Sequence, residues 1–235
     1  MKILCTICAR GGSLGVKNKN IRILRGKPLI AHSILQAKKS NLFDLIVVSS
    51  DSKKIHQTAI AWGADYVIDR PKKLATAIAP KLPVIQHAMI QAEKHCGSLF
   101  DIIIDLDATS PLRTIEDIVE SFNLFTEQPN ANNLVTATPA RRSPYFNMLE
   151  MNAEGFAKLV KKETRAIHRR QDAPSCYDMN ASIYIWKRET LLNGEHTIND
   201  RTLLYIMPEE RSIDIDSHLD WKFVSLLARG RKDLA

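Results

Sequence analysis

The sequence predicts an α/β protein built on a mostly parallel sheet with helices on both faces. Three observations predict it. Apolar runs of strand length alternate with segments of helical period through residues 1–139. The first of these runs feeds a glycine-rich, cationic loop, Arg10-Gly11-Gly12-Ser13. The chain has 235 residues, 45% of them hydrophobic, enough for the core of one large domain.

Taken in order, residues 2–8 read as a buried strand. Pro28 opens a helix to about residue 39, since proline suits the first helical turn. Residues 43–49 form a strand, and Asp51 is placed to cap the helix after it. A short strand over 64–68 follows Gly63, residues 83–95 have helical period, and 100–106 are the next strand. Thr114-Ile115-Glu116-Asp117 is a capping box that opens a helix to about residue 125. Residues 134–138 are again an apolar strand. The rhythm then changes: 141–178 is polar, basic and irregular, with short strand-like pieces at 145–150 and 156–160. It reads as an excursion from the sheet, either a lid or a dimer arm, because loops this long are usually functional. The sheet resumes at 181–186. Residues 212–216 read as a last strand, and Ser217 caps a final helix with Asp220 three residues on. The expected organisation is a single domain over 1–235 that contains the 141–178 insertion.

Composition narrows the functional classes. No apolar stretch is long enough to cross a bilayer, and no secretory pattern opens the chain, so a cytoplasmic protein is expected. The four cysteines include Cys5 and Cys8, but residues three apart on a strand face opposite ways, so free thiols are expected rather than a metal or redox pair. Net charge is +7. Zinc-finger spacing, an aromatic RNA-binding signature and a long basic helix are all missing, so a small anionic ligand is favoured over nucleic acid. No membrane partner is expected.

Three segments carry chemistry. The first is Ala9-Arg10-Gly11-Gly12-Ser13 with Lys17, Lys19 and Asn20. No acidic residue precedes Asp44, while nine lysines and arginines do, a bias that focuses positive potential on an anion. Glycines let backbone N–H groups turn towards phosphate. The spacing fits neither the dinucleotide fingerprint nor the P-loop. The second is Ser212-Ile213-Asp214-Ile215-Asp216. Carboxylates at i and i+2 of a strand share a face about 6–7 Å apart. Such a pair calls for a cation, and Mg²⁺ takes one or two carboxylates together with substrate phosphates. The alternative is the solvated face of an edge strand. The third is Asp105-Leu106-Asp107-Ala108-Thr109-Ser110-Pro111. Asp107, Thr109 and Ser110 offer a carboxylate and two hydroxyls to a polyhydroxylated ligand, or serve the turn before Pro111.

Together these segments resemble the acylneuraminate cytidylyltransferases, which activate sialic acid and related nonulosonic acids as CMP-sugars. The family's Ala-Arg-x-x-Ser-Lys-Gly motif stands here as Ala9 to Gly15, followed by Lys19-Asn20, with Leu14 in place of its lysine. Thr-Ser-Pro-Leu-Arg is intact as Thr109 to Arg113, and Ser-Ile-Asp-Ile-Asp as Ser212 to Asp216. Arg70-Pro71-Lys72-Lys73-Leu74-Ala75 is similar to Arg-Pro-x-x-Leu-Ala, and Asn180-Ala181-Ser182-Ile183-Tyr184 to Asn-Gly-Ala-Ile-Tyr.

The resemblance implies a Rossmann-like nucleotidyltransferase fold with a small dimerisation arm, and CTP and a nine-carbon keto-acid sugar as substrates. It implies that Arg10 and Lys19 hold the triphosphate, that Asp214 and Asp216 hold Mg²⁺ or another divalent cation, and that these four are the catalytic set. Ala9, Gly11, Gly12, Ser13, Asn20 and Arg70 fall on nucleotide-side positions. Asp107, Thr109, Ser110, Arg170, Asn180 and Tyr184 fall on the sugar side, with Arg170 suited to a substrate carboxylate across a homodimer. Sialic-acid members commonly carry Gln at the Asp107 position and Arg at the Asp178 position. With Ala79 to Ile85, these differences look more like members serving bacterial sugars such as legionaminic or pseudaminic acid. An eight-carbon keto acid, a sugar phosphate, or a non-catalytic nucleotide- or RNA-binding role are the alternatives.

Overall fold

A computed structural model of the protein describes residues 1–13, 15–162 and 169–234, with the side chain of Arg170 outside that description. In chain order the elements are β1 (Ile3–Cys8), β2 (Ile23–Leu24), β3 (Lys27–Pro28), α1 (Leu29–Ser40), β4 (Leu45–Ser50), α2 (Lys53–Ala61), β5 (Tyr66–Asp69) and α3 (Lys81–Cys96). Then come β6 (Ile102–Leu106), α4 (Ile115–Thr126), β7 (Asn133–Pro139), β8 (Leu149–Met151), β9 (Ala157–Leu159), β10 (Tyr177–Lys187), α5 (Arg188–Asn193), β11 (Thr202–Ile206) and α6 (His218–Ala228).

Seven strands form one sheet in the order β11-β7-β10-β6-β1-β4-β5. Every neighbouring pair is parallel except those of β10, which runs antiparallel to both β6 and β7. Side-chain alternation divides the core. Ile3, Cys5 and Ile7 of β1, with Ile102, Ile104 and Leu106 of β6, face α1, α2 and α4. Leu4 and Ile103 face α3 and α5 on the other side. Cys5 and Cys8 therefore point to opposite faces, as free thiols. A third apolar cluster packs Leu29, Leu112 and Ile215 under Val224 and Ala228 of α6.

The α/β expectation holds, and both capping boxes form: Thr114 with Asp117 opens α4, and Ser217 with Asp220 opens α6. Two local expectations are corrected. Asp51 does not cap α2, whose N-cap is Ser52. Its Oδ1 instead accepts the Gly11 N–H at 2.7 Å, which fixes the start of the glycine-rich loop. Residues 212–216 are not a strand but an extended, unladdered segment after a 3-10 turn, Glu209–Arg211. They cross the carboxyl end of the sheet, where a ladder position does not exist, and Ile215 N–H bonds only to Thr109 O, at 3.0 Å. The edge strand β11, the short α5 and the β2–β3 hairpin were not expected from the sequence.

Within 141–178, β8 and β9 pair as a separate antiparallel hairpin away from the main sheet. Among the described residues, no helix is long and apolar enough to cross a membrane.

The extended segment is anchored upstream by Arg211. Its Nε and Nη2 donate to the two oxygens of buried Asp117, each at 2.9 Å. Losing one partner leaves a buried charge unpaired. Arg211→Ala is expected to destabilise the fold by about 3 kcal/mol, read as a fall of roughly 6–12 °C in thermal midpoint for a chain of this size.

Candidate active site

A cavity of about 630 Å³ opens at the carboxyl ends of β1, β5 and β6, where ligands of parallel α/β sheets bind. Its walls bring together residues from distant parts of the chain: Arg10, Ser13, Lys19 and Asn20, then Arg70, then Asp107 and Thr109, then Asp214 and Asp216.

The glycine-rich loop approaches the late acidic segment very closely. A Cβ on Gly15 would lie 1.8 Å from the backbone oxygen of Asp216, so only glycine fits there. Lys19 completes the junction. Its Nζ donates to the Ile215 carbonyl and to Asp216 Oδ1, the latter at 3.1 Å. On the opposite wall Arg10 Nη1 donates to Thr76 O at 2.9 Å. Asn20 Nδ2 donates to Arg10 O at 3.0 Å, while its buried Oδ1 has no hydrogen-bond partner among the described residues. Arg70 is buried and donates from Nη2 to Ser49 O at 2.7 Å.

The acidic pair is only half neutralised. Burial and then the charge of Asp216 raise the Asp214 carboxyl above the ordinary carboxylate range. Among the described residues, no group of three or more His, Cys, Asp and Glu gathers as a metal cage. The donor set is thus two carboxylates facing one cavity. It fits a Mg²⁺ ion that draws its other ligands from water and substrate phosphate rather than an all-protein site.

The remaining expected residues lie at or behind the walls. Ala9 is buried, its N–H donating to Ser49 O at 3.0 Å. The Gly11 N–H is taken by Asp51, and a Cβ on Gly12 would meet nothing within 4 Å. Ser110 is buried, its Oγ without a hydrogen-bond partner among the described residues. Asn180 is buried behind the cavity: its Oδ1 accepts from Thr136 Oγ1 at 2.6 Å and its Nδ2 donates to Ser212 Oγ at 2.9 Å. The buried ring of Tyr184 lies beneath the Lys81 ammonium. Asp178 is exposed on β10. Arg170 begins a 3-10 turn, Arg170–Asp172, in the insertion, with its side chain outside the described set. Leu14 lies outside the described residues.

Sequence reasoning missed Lys81, the first residue of α3. Its Nζ lies 2.8 Å from Asp107 Oδ2 and 3.2 Å from Asp105 Oδ2, and 4.2 Å from the centroid of the Tyr184 ring. Burial would lower its ammonium, but the charges of Asp107 and Asp105 more than reverse this and raise it. Burial would likewise raise Asp107, but Lys81 and two bonds from Thr109 bring it down to about 2. A signal was present in the sequence: a lysine at a helix N-terminus opposes the helix dipole and calls for a compensating acid.

A parallel α/β sheet with a glycine-rich cationic loop and a carboxylate pair at one cavity defines the class of nucleotidyl-transferring enzymes. The chain belongs to the cytidylyltransferase family, whose model matches residues 4–215. It is 48% identical over 226 residues to the CMP-N,N'-diacetyllegionaminic acid synthase of Campylobacter jejuni, covering 96% of this chain and 94% of that one. It is 47% identical over 228 residues to the post-translational flagellin modification protein B of Campylobacter coli, covering 97% and 95%. Among solved structures, a CMP:2-keto-3-deoxy-manno-octonic acid synthetase complexed with CTP superposes with a TM-score of 0.71 over 98% of this chain and 99% of that one. At 16% identity that likeness establishes the fold alone.

The contact between Gly15 and Asp216 is testable. Gly15→Ala should displace the acidic segment and lower kcat about a hundredfold, of the order seen when a site shifts by an ångström. Gly230→Ala, after α6 where a Cβ would meet nothing within 4 Å, should keep kcat within about twofold, since surface changes away from contacts cost little. Equal effects of the two substitutions would refute the close-approach argument.

Proposed function

We propose that the enzyme transfers CMP from CTP to a nonulosonic acid and releases pyrophosphate. The observation that carries this reading is the convergence of Arg10, Lys19, Asp214 and Asp216 on one cavity that Asp107 and Thr109 also line. The similarity to a diacetyllegionaminic acid synthase over almost the full length of both chains supports a nine-carbon keto-acid sugar of that kind as acceptor.

In the reaction, the sugar's anomeric oxygen forms a bond to the α-phosphorus as the bond from that phosphorus to the bridging oxygen breaks. The chain's task is positioning and charge neutralisation. Arg10 and Lys19 hold the triphosphate, with Ser13 and the loop of Ala9, Gly11 and Gly12 shaping its bed. Lys19 is shared between Asp216 and the incoming phosphate. Asn20, through its unpartnered carbonyl oxygen, and Arg70 face the nucleoside side. Asp107 and Thr109 face the sugar, backed by Ser110, Asn180 and Tyr184. Asp214 and Asp216 would hold Mg²⁺, which when bound neutralises charge on the departing pyrophosphate. The cytoplasm, where CTP is available, is the proposed location.

The insertion is proposed as the arm of a homodimer, with Arg170 supplied to the partner's sugar site. The supporting observation is its exposed apolar surface: Leu149, Met151 and Phe156 are each more than 60% exposed on or beside the β8–β9 hairpin.

Pyrophosphate release from CTP and Mg²⁺ should be greatest with diacetyllegionaminic acid among a panel that includes N-acetylneuraminic, pseudaminic and eight-carbon keto acids. Asp216→Ala should reduce kcat by about a hundredfold or more while the thermal midpoint holds, because the Asp216 side chain is 78% exposed. Salt-sensitive RNA binding without turnover would refute the reading.

For the arm, an inactive Asp216→Ala protein mixed with an inactive Arg170→Ala protein should regain activity as heterodimers form. Verified heterodimers without activity would exclude supply in trans.

A further inference from the structure

We propose that Lys81 is a positioning residue for sugar specificity: it pins the Asp107 carboxylate as an acceptor-only group, so the site selects acids that present an N–H or O–H donor there. The inference rests on the reaction proposed above and concerns how its acceptor is chosen.

The argument begins behind the cavity. Thr6 Oγ1 donates to Asp105 Oδ1 at 2.7 Å, and both side chains are fully buried. The other Asp105 oxygen has Lys81 Nζ at 3.2 Å. Asp105 is thus the fixed anchor, and Lys81 is its counter-charge. The same ammonium donates to Asp107 Oδ2 at 2.8 Å, and the Tyr184 ring lies on a further side. Of the two carboxylates only Asp107 takes a hydrogen bond from the ammonium; Asp105 Oδ2 faces it as an ion pair, with no hydrogen-bond partner among the described residues. Lys81 lines the cavity with its charge already balanced by both carboxylates.

Asp107 is held from two directions. Lys81 fixes Oδ2, while Thr109 N and Oγ1 donate to Oδ1 at 2.9 and 2.8 Å. The carboxylate cannot rotate without breaking one set. Each carboxylate oxygen has two acceptor positions, so Oδ2 retains one beyond Lys81, and the side chain is 20% exposed to the cavity. What the ligand meets is an oriented acceptor with nothing to donate. An amide in its place would present a donor as well, and a ligand acceptor would then be tolerated. An acceptor-only wall leaves such a ligand atom unpaired, which is costly in a partly buried site.

Initial rates with varied sugar and varied CTP test this for wild type, Lys81→Met, Asp107→Asn and the double variant. Lys81→Met should raise the sugar KM about tenfold or more, the effect of one lost oriented hydrogen bond, with the CTP KM within about twofold. Asp107→Asn should do the same, and the double variant should be no worse than the poorer single one, because the two residues act as a unit. N-methylated or deoxy analogues of the accepted sugar then locate the donor. One of them should lose about tenfold in kcat/KM with wild type and nothing further with Lys81→Met.

A matching rise in the CTP KM would make Lys81 a phosphate ligand and overturn the proposal. Additive effects, or an unmoved sugar KM, would overturn it too. Should Lys81→Met fail to fold, Asp107→Asn and the analogue series decide the question, since that variant keeps the Lys81–Asp105 pair. Wild type that releases no pyrophosphate with any acid strikes the reaction itself. Wild type that turns over while the variants keep its KM values strikes only the role of Lys81.

Discussion

Everything at this site answers to one electrostatic constraint. Four carboxylates, Asp105, Asp107, Asp214 and Asp216, gather at the carboxyl end of a sheet whose ligand is itself polyanionic. Charges of one sign so placed oppose folding and phosphate binding alike. The structure resolves the conflict by depth. The buried pair, Asp105 and Asp107, has a resident cation in Lys81. Among the described residues the shallower pair has Lys19, bonded to Asp216, as its cation, and burial together with the charge of Asp216 raises the Asp214 carboxyl. The deep acids are thereby a finished structural unit, whereas the outer acids are an open one that a further cation would complete.

The outer acids also needed to be brought to the site, and no sheet ladder does it. Residues 212–216 hang from individual tethers: Arg211 on Asp117, Ser212 on Asn180, Ile215 on Thr109 and Lys19, and Asp216 in contact with Gly15. Each tether comes from a segment that the family resemblance singled out or that flanks one. Asn180 illustrates the point. It sits among sugar-side positions by motif, yet its hydrogen bonds run to Thr136 and Ser212, so its contact with the cavity passes through the segment it anchors.

The legible parts of the sequence were those governed by local rules. Strand and helix order followed from apolar periodicity, and both capping boxes followed from their four-residue patterns. The glycine-rich loop and the acidic segment, which the structure brings to one cavity, stand out in the sequence because their residues are concentrated in short motifs. What escaped depended on tertiary placement. Asp51 looked like a cap but bonds to Gly11, because the loop after β1 passes beside the end of β4. Ser212 to Asp216 alternates like a strand, but lies where no partner strand runs. Lys81 was read only as part of a segment: its place at a helix N-terminus calls for an acid, but only the fold shows that Asp105 and Asp107 at the end of β6 supply it.

The link between insertion and cavity lies in β10. Its first half emerges from the insertion with Tyr177 and Met179 exposed, and its second half is buried between β6 and β7. The register with β7 shifts between Met179 and Tyr184, and at that bulge Ala181 adopts φ 54° and lines the cavity. A left-handed alanine costs about 1–2 kcal/mol, and it persists because its neighbours are fixed on both sides. Asn180 is tied to Thr136 and Ser212, and the Ser182 carbonyl accepts from buried Arg113 at 2.7 Å. The strain therefore sits where the strand leaves the rigid sheet for the insertion. The insertion joins the cavity wall at this one bend, where Ala181 itself lines the cavity.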